Sequence, residues 1–147
     1  MLFLASDHAG FPLKEALKKY LAEKQIPFED LGAYALNPDD DYPDIFHPAA
    51  TRISSEPDAR GIFICGSGSG ACTVANRHRD IYATNCWNEE CAKLARQHGN
   101  INVLCLGARL VPEEEALQIV QTFLDTPFKG EEKHKRRIEK INLISNS

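Results

Sequence analysis

The stretch that most constrains this chain is Gly61-Ile62-Phe63-Ile64-Cys65-Gly66-Ser67-Gly68-Ser69-Gly70. A short apolar run reads as a buried strand and stops at a cysteine. Glycine then occupies every second position, and Ala71-Cys72-Thr73-Val74-Ala75-Asn76 can open a helix. Strand, glycine loop and helix start together make an anion site. Glycine lets the backbone approach a ligand, and the free N–H groups of the helix N-terminus point at it. Such a site would also hold a thiol, that of Cys65, beside the positive end of a helix dipole.

The rest of the chain repeats the same unit. Leu2-Phe3-Leu4-Ala5 reads as a first buried strand, closed by the polar turn Ser6-Asp7-His8-Ala9-Gly10. Pro12 suits a first helical turn, and Leu13, Ala16, Leu17, Tyr20 and Leu21 recur at helical spacing. Ile26 to Leu31 reads as strand two. Asn37-Pro38-Asp39-Asp40-Asp41 is a turn-rich acidic loop, followed by a helix from about Ile45 to Ser54. Ile81 to Asn85 and Asn102 to Leu106 give strands four and five. Asn88 caps one intervening helix, and Pro112 opens another with the acidic first turn that a helix dipole prefers. A basic helical tail spans Lys133 to Ile144. Alternation at this spacing predicts a three-layer α/β/α, Rossmann-like fold: a five-stranded parallel sheet, helices on both faces and an extended C-terminal helix. Ligands of such sheets sit at the carboxyl ends of the strands. Those ends carry Asp7-His8, Cys65 with its loop, and Arg109; His98 lies just before strand five.

At 147 residues, 43% of them hydrophobic, the chain reads as one domain, residues 1–147, with a real core. A net charge of −4 argues against nucleic acid as the main partner. No stretch approaches a membrane span, and Met1 to Ala5 is too short for a signal peptide, so the expected location is cytoplasmic. Five cysteines with no CxxC pair suggest neither a secreted disulfide framework nor a zinc knuckle.

Each candidate has a plainer alternative. Gly66-x-Gly68-x-x-Ala71 can be forced onto a dinucleotide fingerprint, but the next strand ends Ala83-Thr84-Asn85-Cys86, without the acid that binds a ribose. The loop lacks the lysine of a nucleotide phosphate loop. It also lacks the arginine that a cysteine phosphatase places six residues after its nucleophile; Ala71 stands there. Cys65 is then a nucleophile, a base or a buried strand-end thiol. Asp7-His8 is a ligand contact or a helix cap with a surface histidine. His98 suits a helix C-terminus equally well. His47 and His78 read as surface residues. Lys133 and Arg137 lie one helical turn apart, so both could reach one phosphate.

Taken together the motifs resemble the type B ribose-5-phosphate isomerases and their galactose-6-phosphate isomerase relatives. The resemblance rests on Ser6-Asp7-His8-Ala9-Gly10-Phe11 with Lys14, Asp41-Tyr42-Pro43-Asp44, Ile64-Cys65-Gly66-Ser67-Gly68, Arg96-Gln97-His98 with Asn102-Val103-Leu104, Leu106-Gly107-Ala108-Arg109, and the tail around His134 and Arg137. It implies an aldose–ketose isomerase for a phosphorylated sugar, ribose 5-phosphate first, working through a cis-enediolate without metal or cofactor. By analogy Cys65 is the base that moves the carbon proton. The loop residues Gly66, Gly68, Ser69 and Gly70 form the anion hole, and Ser67 helps move protons between the two oxygens. His98 assists ring opening, Asp7 orders hydroxyls and Tyr42 lines the pocket. His8, Arg109, Arg137 and Lys133 hold the phosphate. The family pattern also implies a homodimer or homotetramer, with sites built partly across the dimer interface.

Ser67 stands where the family usually has Thr, the segment Gly130-Glu131-Glu132 is one residue longer than the common Gly-Gly version, and three more positions depart from the family pattern. Gly99 stands where the family usually has Asn beside the reacting oxygens. Lys133 replaces a frequent Arg and offers a point charge instead of a bidentate fork. Tyr82 also replaces a frequent Arg. These departures keep two further readings open: an isomerase for allose, galactose or erythrose phosphates, and a non-catalytic sugar-phosphate-binding subunit. A nucleotide-binding module rests on the glycine spacing alone.

Overall fold

The structure is a computed structural model describing residues 1–144. Its elements follow the order β1 (Leu2–Ser6), α1 (Phe11–Glu23), β2 (Phe28–Asp30), α2 (Tyr42–Ser54), β3 (Arg60–Cys65), α3 (Ser69–Ala75), β4 (Ala83–Asn85), α4 (Glu89–Gly99), β5 (Val103–Gly107), α5 (Glu113–Asp125) and α6 (Glu132–Asn142). The five strands form one parallel sheet in the order β2-β1-β3-β5-β4.

The three central strands are buried on both faces, and their side chains alternate between two cores with the period of two that a strand imposes. Leu2, Leu4, Ile62, Ile64, Leu104 and Leu106 pack beneath α1, α4 and α5, whose Leu13, Leu17, Ala92, Ile119 and Phe123 join that core. Phe3, Ala5, Phe63, Cys65, Val103 and Cys105 face the other way, onto Phe46, Ala50 and Ile53 of α2 and Ala71 and Ala75 of α3. The expected three-layer architecture is therefore present. Cys65 points into the layer that carries α2 and α3.

Differences from expectation fall at edges. β2 and β4 are three-residue strands, shorter than Ile26–Leu31 and Ile81–Asn85. Each has a partner on one side only, and Pro27 offers no N–H to extend β2. α2 begins three residues earlier than predicted, at Tyr42. Pro43 sits in its first turn, where the missing N–H has no helical use, and Pro48 is tolerated inside. The tail helix ends at Asn142 instead of Ile144. No helix among the described residues is long and apolar enough to cross a membrane.

Two features fix the sheet's carboxyl edge. The connection from β1 to β2 and the return to β3 place a topological switch point between β1 and β3, where the Asp7 turn and the Cys65 loop emerge side by side. Behind them the fully buried Lys14 donates to Asp30 Oδ1 at 2.8 Å and to the Ala33 carbonyl, tying α1 to the segment that leaves β2. Burial lowers the Lys14 pKa. Asp30 is held below the usual carboxylate range because hydrogen bonds from Lys14, Gly32 and Lys18 outweigh its own desolvation.

Candidate active site

β3 delivers Cys65 to the sheet edge 5% exposed. The loop then folds back on it, and the Gly68 N–H donates to Cys65 Sγ at 3.2 Å. Gly68 has φ +81°, and a Cβ there would lie 2.3 Å from Asn85 Oδ1, so strand β4 packs against bare backbone. Asn85 Nδ2 donates to the Ser67 carbonyl at 3.0 Å and fixes the loop from that side. α3 starts at Ser69, and its first helical bond is from the Cys72 N–H to the Gly68 carbonyl, at 3.1 Å. The N–H groups of Gly70 and Ala71 therefore have no partner within the helix. The Ser69 N–H is taken by Ser67 Oγ at 3.2 Å.

A cavity of about 400 Å³ opens over this loop, lined by Asp7, Tyr42, Cys65, Gly66, Ser67, Gly70, Arg109 and Leu110. The Tyr42 ring lies so close to Gly70 that a Cβ there would come within 2.6 Å of it. Arg109 follows β5, its backbone N–H bonded to the Gly66 carbonyl at 3.0 Å. Its exposed guanidinium makes no ion pair among the described residues. Asp7 is 5% exposed, and its Oδ1 accepts from the Gly10 N–H at 3.0 Å. His8 is beside the cavity and bonded to Asp40: both its backbone N–H, at 3.1 Å, and its ring Nδ1, at 2.6 Å, meet Asp40 Oδ1.

The remaining candidates are elsewhere. α4 runs back across the sheet, and its end shares a cavity of about 510 Å³ with Arg60, where β3 begins, and Asn102, which precedes β5. His98 and Gly99 therefore sit at the amino edge of the strands. At about 3.3 Å per residue, the six residues of β3 separate that edge from Cys65 by roughly 15 Å or more. There the His98 ring stacks on His134 of α6, with centroids 4.4 Å apart and planes 10° from parallel. Burial, then the neighbouring His98, lowers the His134 pKa against the opposing pull of Glu131. Lys133 and Arg137 are exposed on α6. The Lys129 N–H bonds the Gln97 carbonyl at 3.2 Å, and the Tyr82 hydroxyl bonds Asn142, so α6 is docked along α4 and β4. A single chain thus brings Asp7, Tyr42, Cys65, Ser67 and Arg109 together and leaves His98, Gly99, Lys133 and Arg137 outside that group.

A family model described as Ribose/Galactose Isomerase matches residues 2–141. The chain belongs to that family. The curated ribose-5-phosphate isomerase B of Mycolicibacterium paratuberculosis is 39% identical over 138 residues, covering 94% of this chain and 87% of its own length. Ribose-5-phosphate isomerase B from Mycoplasma genitalium, solved with bound ribulose 5-phosphate, superposes with a TM-score of 0.92 at 42% identity, covering 96% of this chain and 93% of that one. The Thermotoga maritima enzyme superposes at 0.91 with 46% identity, covering 97% of each chain. Membership agrees with the order of motifs along the sequence.

Sequence reasoning missed three arrangements. Asp40, one of three consecutive aspartates in what read as a turn, is the partner of His8; nothing in the local pattern singles it out. His47 and His78, read as unconnected surface residues, meet at 2.7 Å between Nδ1 and Nε2, with His78 Nδ1 against the Val74 carbonyl at 3.0 Å. Helical spacing alone cannot report contacts between α2 and the turn after α3. The third is Cys72: a hydrogen bond with Cys105 first, then the Asn85 backbone and Asn76, lower its half-buried thiol to about 7.

Proposed function

We propose that this chain is a cytoplasmic, single-domain aldose–ketose isomerase that interconverts ribose 5-phosphate and ribulose 5-phosphate, and that two copies complete each site. The observation that carries the reading is the single cavity lined by Cys65, its glycine loop and Arg109, whose guanidinium makes no ion pair among the described residues. The named activity of relatives matched over nearly their whole length supports the substrate class.

In this reading Cys65 Sγ, as thiolate, takes the proton from C2 of the open-chain aldose and returns it to C1 of the cis-enediolate. The Gly68 N–H aimed at sulfur stabilises the charge that the base carries before it takes the proton. The N–H of Gly70, unpartnered within the helix and on the cavity wall, is available for charge developing on the substrate oxygens, where preorganised donors act without reorganising. Ser67 Oγ passes a proton between O1 and O2. Asp7, with one oxygen held by Gly10, orders hydroxyls with the other. Tyr42 walls the pocket, and His8 and Arg109 take the phosphate. His98, which assists ring opening, and the phosphate ligands Lys133 and Arg137 come from a second copy, since within one chain they sit at the far edge. Large apolar side chains left exposed, among them Trp87 at 61% and Leu143 at 84%, are the kind of surface that a partner covers. The five free thiols fit a reducing compartment.

Turnover of ribose 5-phosphate with EDTA present, for the wild-type protein and Cys65→Ala, tests this. Activity in the first and its loss in the second is the expected result. An active Cys65→Ala protein would overturn the mechanism. An inactive wild type would overturn the substrate assignment and direct the assay to tetrose and hexose phosphates.

A further inference from the structure

Asp40 is placed to control His8, and the geometry points to a positioning role for it in phosphate recognition. This rests on the isomerase reading, in which His8 meets the phosphate. One carboxylate oxygen, Asp40 Oδ1, accepts both the His8 backbone N–H at 3.1 Å and the ring Nδ1 at 2.6 Å. The Asp40 side chain is only 11% exposed, while that of His8 is 32% exposed, so the acid is packed behind the ring and the ring keeps an open edge. A carboxylate accepts only, so Nδ1 must carry a proton, and the Nε2 edge is left free; once it too is protonated, beside the Asp40 carboxylate, it donates to a phosphate oxygen. The second oxygen, Oδ2, is buried with no partner among the described residues. All of the hydrogen bonding of this carboxylate is thus committed to His8.

Asp40 also precedes the two residues that open the pocket wall: Asp41 caps α2, and Tyr42 starts it. The loop that carries it is stiffened by the Asp40 N–H to the Asn37 carbonyl at 3.1 Å and by the Asp39 N–H to Asn37 Oδ1, also at 3.1 Å. The acid therefore joins the turn after β1 to the start of α2, the two segments that present His8 and Tyr42. Losing it frees the His8 ring to rotate without touching Cys65 or the anion loop. The consequence is a binding defect and not a chemical one, because an interaction made equally in ground and transition states moves KM alone.

The test is a double-mutant cycle read in KM and kcat, with melting followed for every variant. His8→Ala and Asp40→Ala are each expected to raise the KM for ribose 5-phosphate about tenfold, with kcat changed less than about twofold. The double variant is expected to be no worse than either single one. Asp40→Asn keeps an oxygen for Nδ1 and is expected to stay within about threefold of wild type. Multiplicative effects in the double variant, or an unchanged KM in Asp40→Ala, would overturn the proposal. Nitrogen-15 NMR of histidine-labelled wild-type protein gives a reading that does not depend on any variant folding. A His8 Nδ1 that stays protonated, with an Nε2 resonance that moves on adding ribose 5-phosphate as Nε2–H donates to the phosphate, is expected; a tautomer protonated at Nε2 alone would overturn the proposal. A wild type without turnover would instead count against the isomerase reading, leaving the tautomer measurement intact.

Discussion

At the carboxyl edge of the sheet Cys65 and Asp7 are nearly inaccessible, each held by a backbone N–H from its own turn, and the surrounding chain fits only because Gly68 and Gly70 lack a Cβ. At the amino edge His98, Lys133 and Arg137 stand exposed on two helices, supported by one ring stack and a few helix contacts. The first pole is preorganised for chemistry and tolerates almost no added atom. The second is a cationic surface that gains definition from whatever it meets. That contrast is what a site shared between two copies requires: one wall rigid and complete, the other open until association.

The largest expected effect belongs to the rigid pole. Cys65→Ala is expected to lower kcat by about a thousandfold, with melting unchanged within a few degrees, as loss of a general base does without loss of packing. Steady-state kinetics and thermal denaturation check both halves. Lys14→Ala, behind the same pole, empties the space of a fully buried side chain and removes its bonds to Asp30 and the Ala33 carbonyl, leaving Asp30 with Lys18 and Gly32; it is expected to cost about 3 kcal/mol in urea unfolding. At the open pole Arg137→Ala and Lys133→Ala are expected to raise KM about tenfold each with little effect on melting, as removal of exposed phosphate ligands does.

pH sharpens the contrast. The folded state holds the His134 pKa below its ordinary value, so the unfolded chain binds the proton more readily. The stability this contributes is complete above about pH 6.5 and is lost as pH falls below that, toward the depressed folded value. Loosening of α6, followed by hydrogen exchange between about pH 7 and 5, is expected in wild type and not in His134→Phe. The smallest effect is at Gly99. Its φ is ordinary, and an added Cβ meets only Ile101 Cγ2, at 3.7 Å, so Gly99→Asn is expected to fold normally and shift stability by no more than about 0.5 kcal/mol.

The central strands were legible because alternation between two cores leaves a continuous apolar run, as in Ile62 to Cys65, that glycine or a polar turn must close. The edge strands were overestimated because Pro27 has no N–H for the ladder and the Tyr82 N–H is taken by the Asn102 side chain at 2.9 Å, which composition does not show. The loop from Gly66 to Gly70 was readable since close backbone approach demands glycine. Asp40 was not, because its meaning depends on a segment 32 residues away in sequence. His98 was correctly placed before strand five, but the fold leaves it at the opposite edge of the sheet from Cys65, and only the proposed second copy would group the two. Chemical labelling has its own hidden partner: with the Cys72 thiol lowered to about 7, its alkylation is expected to accelerate through neutral pH, so loss of activity on alkylation does not by itself identify Cys65.

The most direct test of the shared site is subunit mixing. Cys65→Ala and Arg137→Ala proteins, each purified folded, are unfolded together and refolded as a mixture. If each site draws Cys65 from one copy and Arg137 from the other, mixed dimers hold one site with neither lesion, and the mixture is expected to recover about a quarter of wild-type kcat/KM. A mixture no more active than the average of its two components, with mixed dimers demonstrated by mass spectrometry, would contradict the account.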